Sequence, residues 1–240
     1  MKTIARLLTT LAVLATIHAE PAMSSTTPST KLMQGITYKS CEVDGKFLAL
    51  TFDDGPHADN SPKLLEILKQ HNAKATFFVM GTNASKYPEL LKRMQAEGHE
   101  IGNHSWSHPH LLSLDLPGIR SELENTSKAV SDATGQSPKV FRPPFIDTNP
   151  TLENWINKEL GMKSIICSVD SLDWRDKDAA LARQHVLEGA APGAIVLMHE
   201  RASTAEALPG ILSELAAKGY QFVTVSELIA MDHAGKSASH

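Results

Sequence analysis

Two hydrophobic periods alternate along this chain, and that alternation constrains its fold more than any other feature. Apolar runs of strand length recur seven times: FLALTF (47–52), ATFFVM (75–80), EIGNHS (100–105), VFRPP (140–144), SIICSVD (164–170), AIVLMH (194–199) and QFVTV (221–225). Between them, residues 61–72, 87–98, 116–135, 151–161, 177–190 and 207–220 carry apolar side chains three and four apart, the spacing that turns one helix face to a core. Ser61-Pro62 opens one of these segments, and Gly98, Gly135 and Gly161 close others. Seven strands separated by helices read as repeated βα units around a parallel sheet, closed or nearly closed. Neither a repeat nor an internal linker interrupts the series.

In such a fold the reactive groups gather where the strands end. The first run shows the pattern: in LALTFDDGP, Leu48, Leu50 and Phe52 alternate with Ala49 and Thr51, then Asp53 and Asp54 appear as Gly55-Pro56 turns the chain. The third run ends in His104 and His108, four apart, with Pro109 preventing a long helix; the fourth is followed by Arg142 to Phe145. Asp170 and Asp173-Trp174 end the fifth, and His199 the sixth. Scattered surface charges would not produce this. The adjacent aspartates read either as a solvated turn capping the next helix, or as a metal ligand beside a proton-handling group. HSWSH reads either as a polar loop or as two imidazoles converging on one ion. Two histidines and one aspartate leave room for water and substrate, the layout of a catalytic rather than a closed structural metal site.

The N-terminus sets the compartment. Met1 to Ala22 carries Lys2 and Arg6, an 11-residue apolar stretch from Leu7 to Ile17, and small residues at Ala19 and Ala22. This is the layout of a secretory signal peptide, too short for a bilayer, which needs about 20 residues. Export and cleavage are expected, with no membrane anchor afterwards and a secreted product, extracellular or periplasmic. Residues 23–40 are expected to be a flexible leader, 41–232 one catalytic domain, and 233–240 a disordered tail. The 200 residues beyond the leader can bury a full core as one unit. Net charge is −4 with no basic stripe, which argues against nucleic acid as a partner, and nothing demands more than a monomer. Cys41 and Cys167 are far apart in sequence, and a disulfide between them is not expected.

TFDDGP, HSWSH, RPPF, DSLDW and IVLMH, in this order, resemble the five motifs of the polysaccharide deacetylases of the NodB-homology type, carbohydrate esterase family 4. The resemblance spans roughly residues 46 to 230 and implies a distorted (β/α) barrel of about seven parallel strands. It implies that Asp54, His104 and His108 hold a divalent metal, usually zinc, although cobalt, nickel or manganese suit the same ligands. Asp53 would be the general base, held in place by Arg142. His199 would be the general acid that protonates the leaving amine, oriented by Asp173, which favours its protonated form. The Phe145 backbone N–H would help hold the oxyanion, and Trp174 and Leu197 would wall the acetyl pocket. The family often has Tyr-Gly where this chain has Phe145-Ile146, a change expected to alter substrate fit and leave the chemistry intact.

The implied reaction is removal of N-acetyl groups from an N-acetylglucosamine-containing glycan, a chitin oligosaccharide or peptidoglycan, with release of acetate. Alternatives remain at this point: an O-acetyl esterase acting on a polysaccharide such as acetylated xylan, a glycan-binding module without chemistry, or a non-haem iron oxygenase, which also uses two histidines and a carboxylate. Trp106 either lines the groove or anchors its loop. Pro109 is expected to turn His110 away from the site, and Asp170 either supports Asp173 or caps its strand.

Overall fold

The computed structural model describes residues 35–232. The expected signal peptide, most of the expected leader and the tail from 233 lie outside the described residues. Nine strands occur among those described: β1 (Thr37–Tyr38), β2 (Phe47–Asp53), β3 (Ala75–Val79), β4 (Glu100–Asn103), β5 (Val140–Phe141), β6 (Lys163–Ile165), β7 (Val169–Asp170), β8 (Ile195–His199) and β9 (Gln221–Phe222). The helices are α1 (Ser61–Gln70), α2 (Gly81–Lys86), α3 (Pro88–Ala96), α4 (Leu116–Thr134), α5 (Pro150–Leu160), α6 (Asp173–Asp176), α7 (Ala179–Gly189), α8 (Ala202–Ala217) and α9 (Val225–Met231). No helix among them is long and apolar enough to cross a membrane.

The strands pair in parallel in the order β1-β6-β5-β4-β3-β2-β8-β7, and β9 adds to β2. The sheet curls into a distorted barrel, and one chain segment completes the ring. Lys163 and Ser164 of β6 pair with Val140 and Phe141 of β5, while Val169 and Asp170 of β7 pair with Val196 and Leu197 of β8. The run 164–170, expected as one strand, is therefore broken at 166–168, and its two halves pair with the two opposite ends of the strand series.

β2 shows how the sequence period sorts side chains. Leu48, Leu50 and Phe52 face the helices, in one cluster with Leu64, Leu65 and Leu68 of α1 and Leu208, Ile211 and Leu212 of α8. Burying each of these is worth about 1.5–3 kcal/mol. Ala49 faces the interior with Phe78, Val140, Ile165 and Ile195, where Val225 and Leu228 of α9 join them. Thr51 and Asp53 share that inward face by the two-residue period. Three small or polar residues there leave space at the carboxyl end of the barrel for something larger.

Several boundaries differ from expectation for local reasons. Thr37–Tyr38, placed by sequence in the leader, pair with Ser164 and Ile165. α8 begins at Ala202, not 207, and carries Pro209 inside it, because buried Thr204, Ala207 and Leu208 hold the first turns. QFVTV is strand only at its start; Thr224 then caps α9 through a reciprocal capping box with Glu227. The expected closing glycines Gly98, Gly135 and Gly161 all have positive φ. Cys41 and Cys167 are both free.

Gly193, before β8, has φ +78°, and a Cβ there would lie 1.7 Å from the Cys41 carbonyl oxygen. Gly135 has φ +74° with nothing within 4 Å of such a Cβ. We expect Gly135→Ala to cost ~1–2 kcal/mol, the left-handed penalty alone, and Gly193→Ala to cost clearly more. Urea unfolding of both variants checks this; equal losses would mean that the Cys41 contact relaxes freely.

Candidate active site

Arg142 fills the space left at the barrel end. It is fully buried, and its Nη1 donates to Asp53 Oδ1 at 2.8 Å and to Thr51 Oγ1 at 2.6 Å. Nε and Nη2 donate to the carbonyls of Ile165 and Ile166 at 3.3 and 3.2 Å. Those carbonyls are available because the strand breaks there. The guanidinium carbon also lies 4.2 Å from the Phe78 ring centroid. A buried ion pair is tolerated when its remaining donors and acceptors are satisfied, as they are here. Asp53, 2% exposed, is thereby fixed with Oδ2 directed to the cleft side.

The Arg142 carbonyl has a second task. His104 Nδ1 lies 2.8 Å from it, and since a carbonyl only accepts, Nδ1 carries the proton and Nε2 keeps a lone pair. That Nε2 is 3.6 Å from Asp54 Oδ1, and His108 Nε2 is 3.7 Å from the same oxygen. One ligand atom each from Asp54, His104 and His108 lies within 4.8 Å of the others. Burial, then the neighbouring His104, holds the His108 imidazole below its usual pKa, which suits a neutral ligand. Two imidazole nitrogens and a carboxylate on a half-open cleft fit a divalent cation.

The histidine loop is held from outside. The Trp106 and Ser107 N–H groups both donate to Glu122 Oε2 of α4 at 2.8 Å, and Ser107 Oγ donates to Oε1. Trp106 packs closely against Gly81, so it anchors the loop and does not line the cleft. Of eight non-glycine residues with positive φ among the described residues, six cluster at this end of the barrel: Asp54, Ser105, His108, Phe145, Ile146 and Leu172. Strain of this kind, ~1–3 kcal/mol per residue, persists where the surroundings over-determine the backbone.

Across the cleft stands His199. Strand register sets Asp53 of β2 directly beside it on β8. Asp173 Oδ1 is 2.7 Å from His199 Nδ1, its Oδ2 accepts the His199 N–H at 2.8 Å, and Thr204 Oγ1 donates to Oδ2 at 2.5 Å. Burial opposes ionisation of Asp173, but the His199 and Thr204 hydrogen bonds and the His199 charge outweigh it and hold the carboxyl below its usual range. Burial likewise opposes protonation of His199, yet the Asp173 bond and the charges of Asp53, Asp173 and Asp54 lift its pKa above the usual imidazole value. Nε2 is left free for the cleft.

The cleft between them, about 370 Å³, is lined by Asp53, Asp54, His104, His108, Phe145, Trp174, Leu197 and His199 among others. All ten residues singled out from sequence meet here, with Arg142 behind Asp53 and Asp173 behind His199. Asp170 accepts Trp174 Nε1–H at 3.2 Å and the Leu172 N–H at 2.8 Å, so it steadies the exposed indole; it makes no bond to Asp173. The Phe145 N–H finds no acceptor among the described residues. Its ring stacks on His110 at 4.0 Å, and His110 Nδ1 lies 3.3 Å from Asp147 Oδ2. His110 is thus not turned away but braces the Phe145 loop.

Sequence reasoning missed Thr51, Glu122, Thr204, Glu200 and Arg201. Thr51 was recoverable, two residues before Asp53 on an alternating strand; Glu122 and Thr204 lie on helices far along the chain and carry no local signal. Glu200 follows His199 and is buried against Gly55, where a Cβ would lie 1.7 Å from Glu200 Oε1. It accepts a hydrogen bond from Ser61, and burial pushes its carboxyl up to about 8.

A carboxylate backed by a cation and an imidazole backed by a carboxylate, beside three side chains that could hold a metal ion, are the kind of equipment a metal-assisted hydrolase uses. Comparison with known proteins narrows that class. A family model described as polysaccharide deacetylase matches residues 41–165. The peptidoglycan-N-acetylglucosamine deacetylase PgdA of Listeria monocytogenes is 44% identical over 184 residues, 76% of this chain and 39% of that protein. A peptidoglycan-N-acetylglucosamine deacetylase of Bacillus cereus is 38% identical, over 80% of this chain and 69% of its own length. The solved Bc1960 peptidoglycan N-acetylglucosamine deacetylase superposes with a TM-score of 0.76 at 36% identity, covering 80% of this chain and 92% of that one. The chain belongs to the polysaccharide deacetylase family, as its five motifs implied; it spans well under half of the Listeria protein's length.

Arg142→Met strands the Asp53 charge in the interior, so we expect a loss of ~3–5 kcal/mol in urea unfolding of metal-free protein. Adding Asp53→Asn should recover a substantial part of it. Independent, additive losses would show that the two groups do not depend on each other.

Proposed function

We propose that this protein is an exported, metal-dependent hydrolase that removes the N-acetyl group from N-acetylglucosamine residues of peptidoglycan and releases acetate. The observation that carries this reading is the register pairing of Asp53 with His199, one partnered by a cation and the other by a carboxylate. The relatives, peptidoglycan deacetylases, favour peptidoglycan ahead of chitin as the substrate. The signal-like N-terminus and the wall location of such a substrate support export.

Asp54, His104 and His108 would hold the cation, zinc by family precedent, which when bound lowers the pKa of a water towards ~7 and polarises the acetyl carbonyl. Asp53, pinned through Oδ1 by Arg142, offers Oδ2 to take the proton from the attacking water. The Phe145 N–H is a donor for the oxygen that becomes negative, a contribution of ~3 kcal/mol for a single such group. His199, whose protonated form is favoured by its pairing with Asp173, gives its Nε2 proton to the departing amine, without which the amide nitrogen leaves poorly. Trp174 and Leu197 enclose the methyl end and exclude water.

Acetate release from a peptidoglycan oligosaccharide by purified protein tests the reading. Chelation, and separately Asp54→Ala, should remove activity by ~100-fold or more. Asp53→Asn should cost ~10²–10⁴-fold in kcat. His199 works in its protonated form, so kcat falls as pH rises through its raised pKa; Asp173→Asn removes the cause and should move that falling limb to lower pH. Acetate released only from O-acetyl esters would replace the amide with an ester as substrate.

A further inference from the structure

Two arginines stand at this end of the barrel, Arg142 behind Asp53 and Arg201 on the cleft itself, and they are used in opposite ways. Every donor group of Arg142 is engaged, whereas Arg201, just before α8, makes no side-chain hydrogen bond within the described residues. Its Nε is buried without a partner, and its Nη2 stops 3.9 Å from Asp54 Oδ2, beyond hydrogen-bond reach. The other described arginines each donate to a carboxylate: Arg93 to Glu97, Arg120 to Glu124, Arg142 to Asp53, Arg175 to Asp176 and Arg183 to Glu214. Arg201 alone does not, and it stands beside the reacting groups.

Its position says what it faces. Besides the 370 Å³ cleft, a second hollow of about 490 Å³ is lined by His57, Asn60, Met80 and Asn83. Asp54, His108, His199 and Arg201 line both, so Arg201 sits on the ridge between them. A glycan whose acetamide lies against His199 must pass this ridge to enter the second hollow. Asp54 does not neutralise the guanidinium once it serves a cation. A half-exposed guanidinium with free donors presents a fork matched to a carboxylate, and a buried unpaired Nε–H is a cost that such a group would remove.

We propose that Arg201 is a specificity residue that binds a carboxylate carried by the sugar next to the one being deacetylated; this rests on the peptidoglycan reading above. In peptidoglycan that carboxylate comes from the lactyl ether of a muramyl residue or from its stem peptide. The enzyme would then favour muramyl-containing strands over uncharged N-acetylglucosamine oligomers of equal length.

The test compares wild type, Arg201→Met and Arg201→Lys on three tetrasaccharides: uncharged chitotetraose, a muramyl tetrasaccharide with free lactyl carboxylates, and the same with stem peptides. Bound metal per chain is measured throughout. Arg201→Met should lower kcat/KM on a carboxylate-bearing substrate about tenfold or more beyond its effect on chitotetraose. The change should fall mainly on KM, with partial recovery in Arg201→Lys and metal content retained. Whichever muramyl substrate shows the selective loss identifies the source of the carboxylate. Equal losses on all three, or a fall in bound metal, would overturn the proposal and assign Arg201 to the support of Asp54. If wild type turns over none of them, the functional reading fails, and calorimetric binding of the lactyl tetrasaccharide decides separately: weaker binding by Arg201→Met supports the carboxylate site, and equal binding overturns it.

Discussion

Arg142 carries a full positive charge where water does not reach, and the surrounding structure is arranged to make that bearable. Its acceptors come from β2 and from the gap between β6 and β7, segments distant in sequence. The interruption of that segment supplies carbonyls that a continuous ladder would have consumed. The inward face of β2 is kept to Ala49, Thr51 and Asp53, which leaves room for the guanidinium. Its own carbonyl then fixes the His104 tautomer. One residue therefore connects the strand break, the candidate base and a candidate metal ligand, and removing it alone leaves the others' buried polar groups unpaired.

The two halves of the cleft are built by one device with the signs reversed. On one side a carboxylate is backed by a cation; on the other an imidazole is backed by a carboxylate. Both depend on neighbouring central strands, so their separation is set by sheet geometry rather than by loops. Loops bring the remaining parts, and several are held in left-handed backbone: Phe145 and Ile146 consecutively, at φ 58° and 55°. For the β-branched Ile146 this is an outlier in itself. The stack of Phe145 on His110, with Asp147 beside it, is what opposes relaxation there.

Much of this was legible in the sequence because the informative residues lie at strand ends, where local pattern and topology agree. Asp53, Asp54, His104, His108, Arg142, Asp173 and His199 all fell at such ends, and one register-matched sheet was enough to gather them. What sequence pattern could not supply was set by distant contacts. The apolar continuity of SIICSVD concealed a break whose reason is a guanidinium from another strand. The early start of α8 depends on Thr204 meeting Asp173, and the loop clamp by Glu122 crosses from a helix. Thr51 was a lesser miss, since the same alternation that placed Asp53 inside also placed Thr51 there.

The packing of Gly55 against Glu200 has a consequence for how this cleft can change over time. No side chain fits at 55 while the glutamate keeps its length and place, and shortening residue 200 would open a void beneath the Asp53-Asp54 turn. The two positions therefore share one fixed volume across a great distance in sequence. Substitutions at either are tolerated only in matched pairs, so lineages or libraries that diversify the cleft should show 55 and 200 drifting together or not at all.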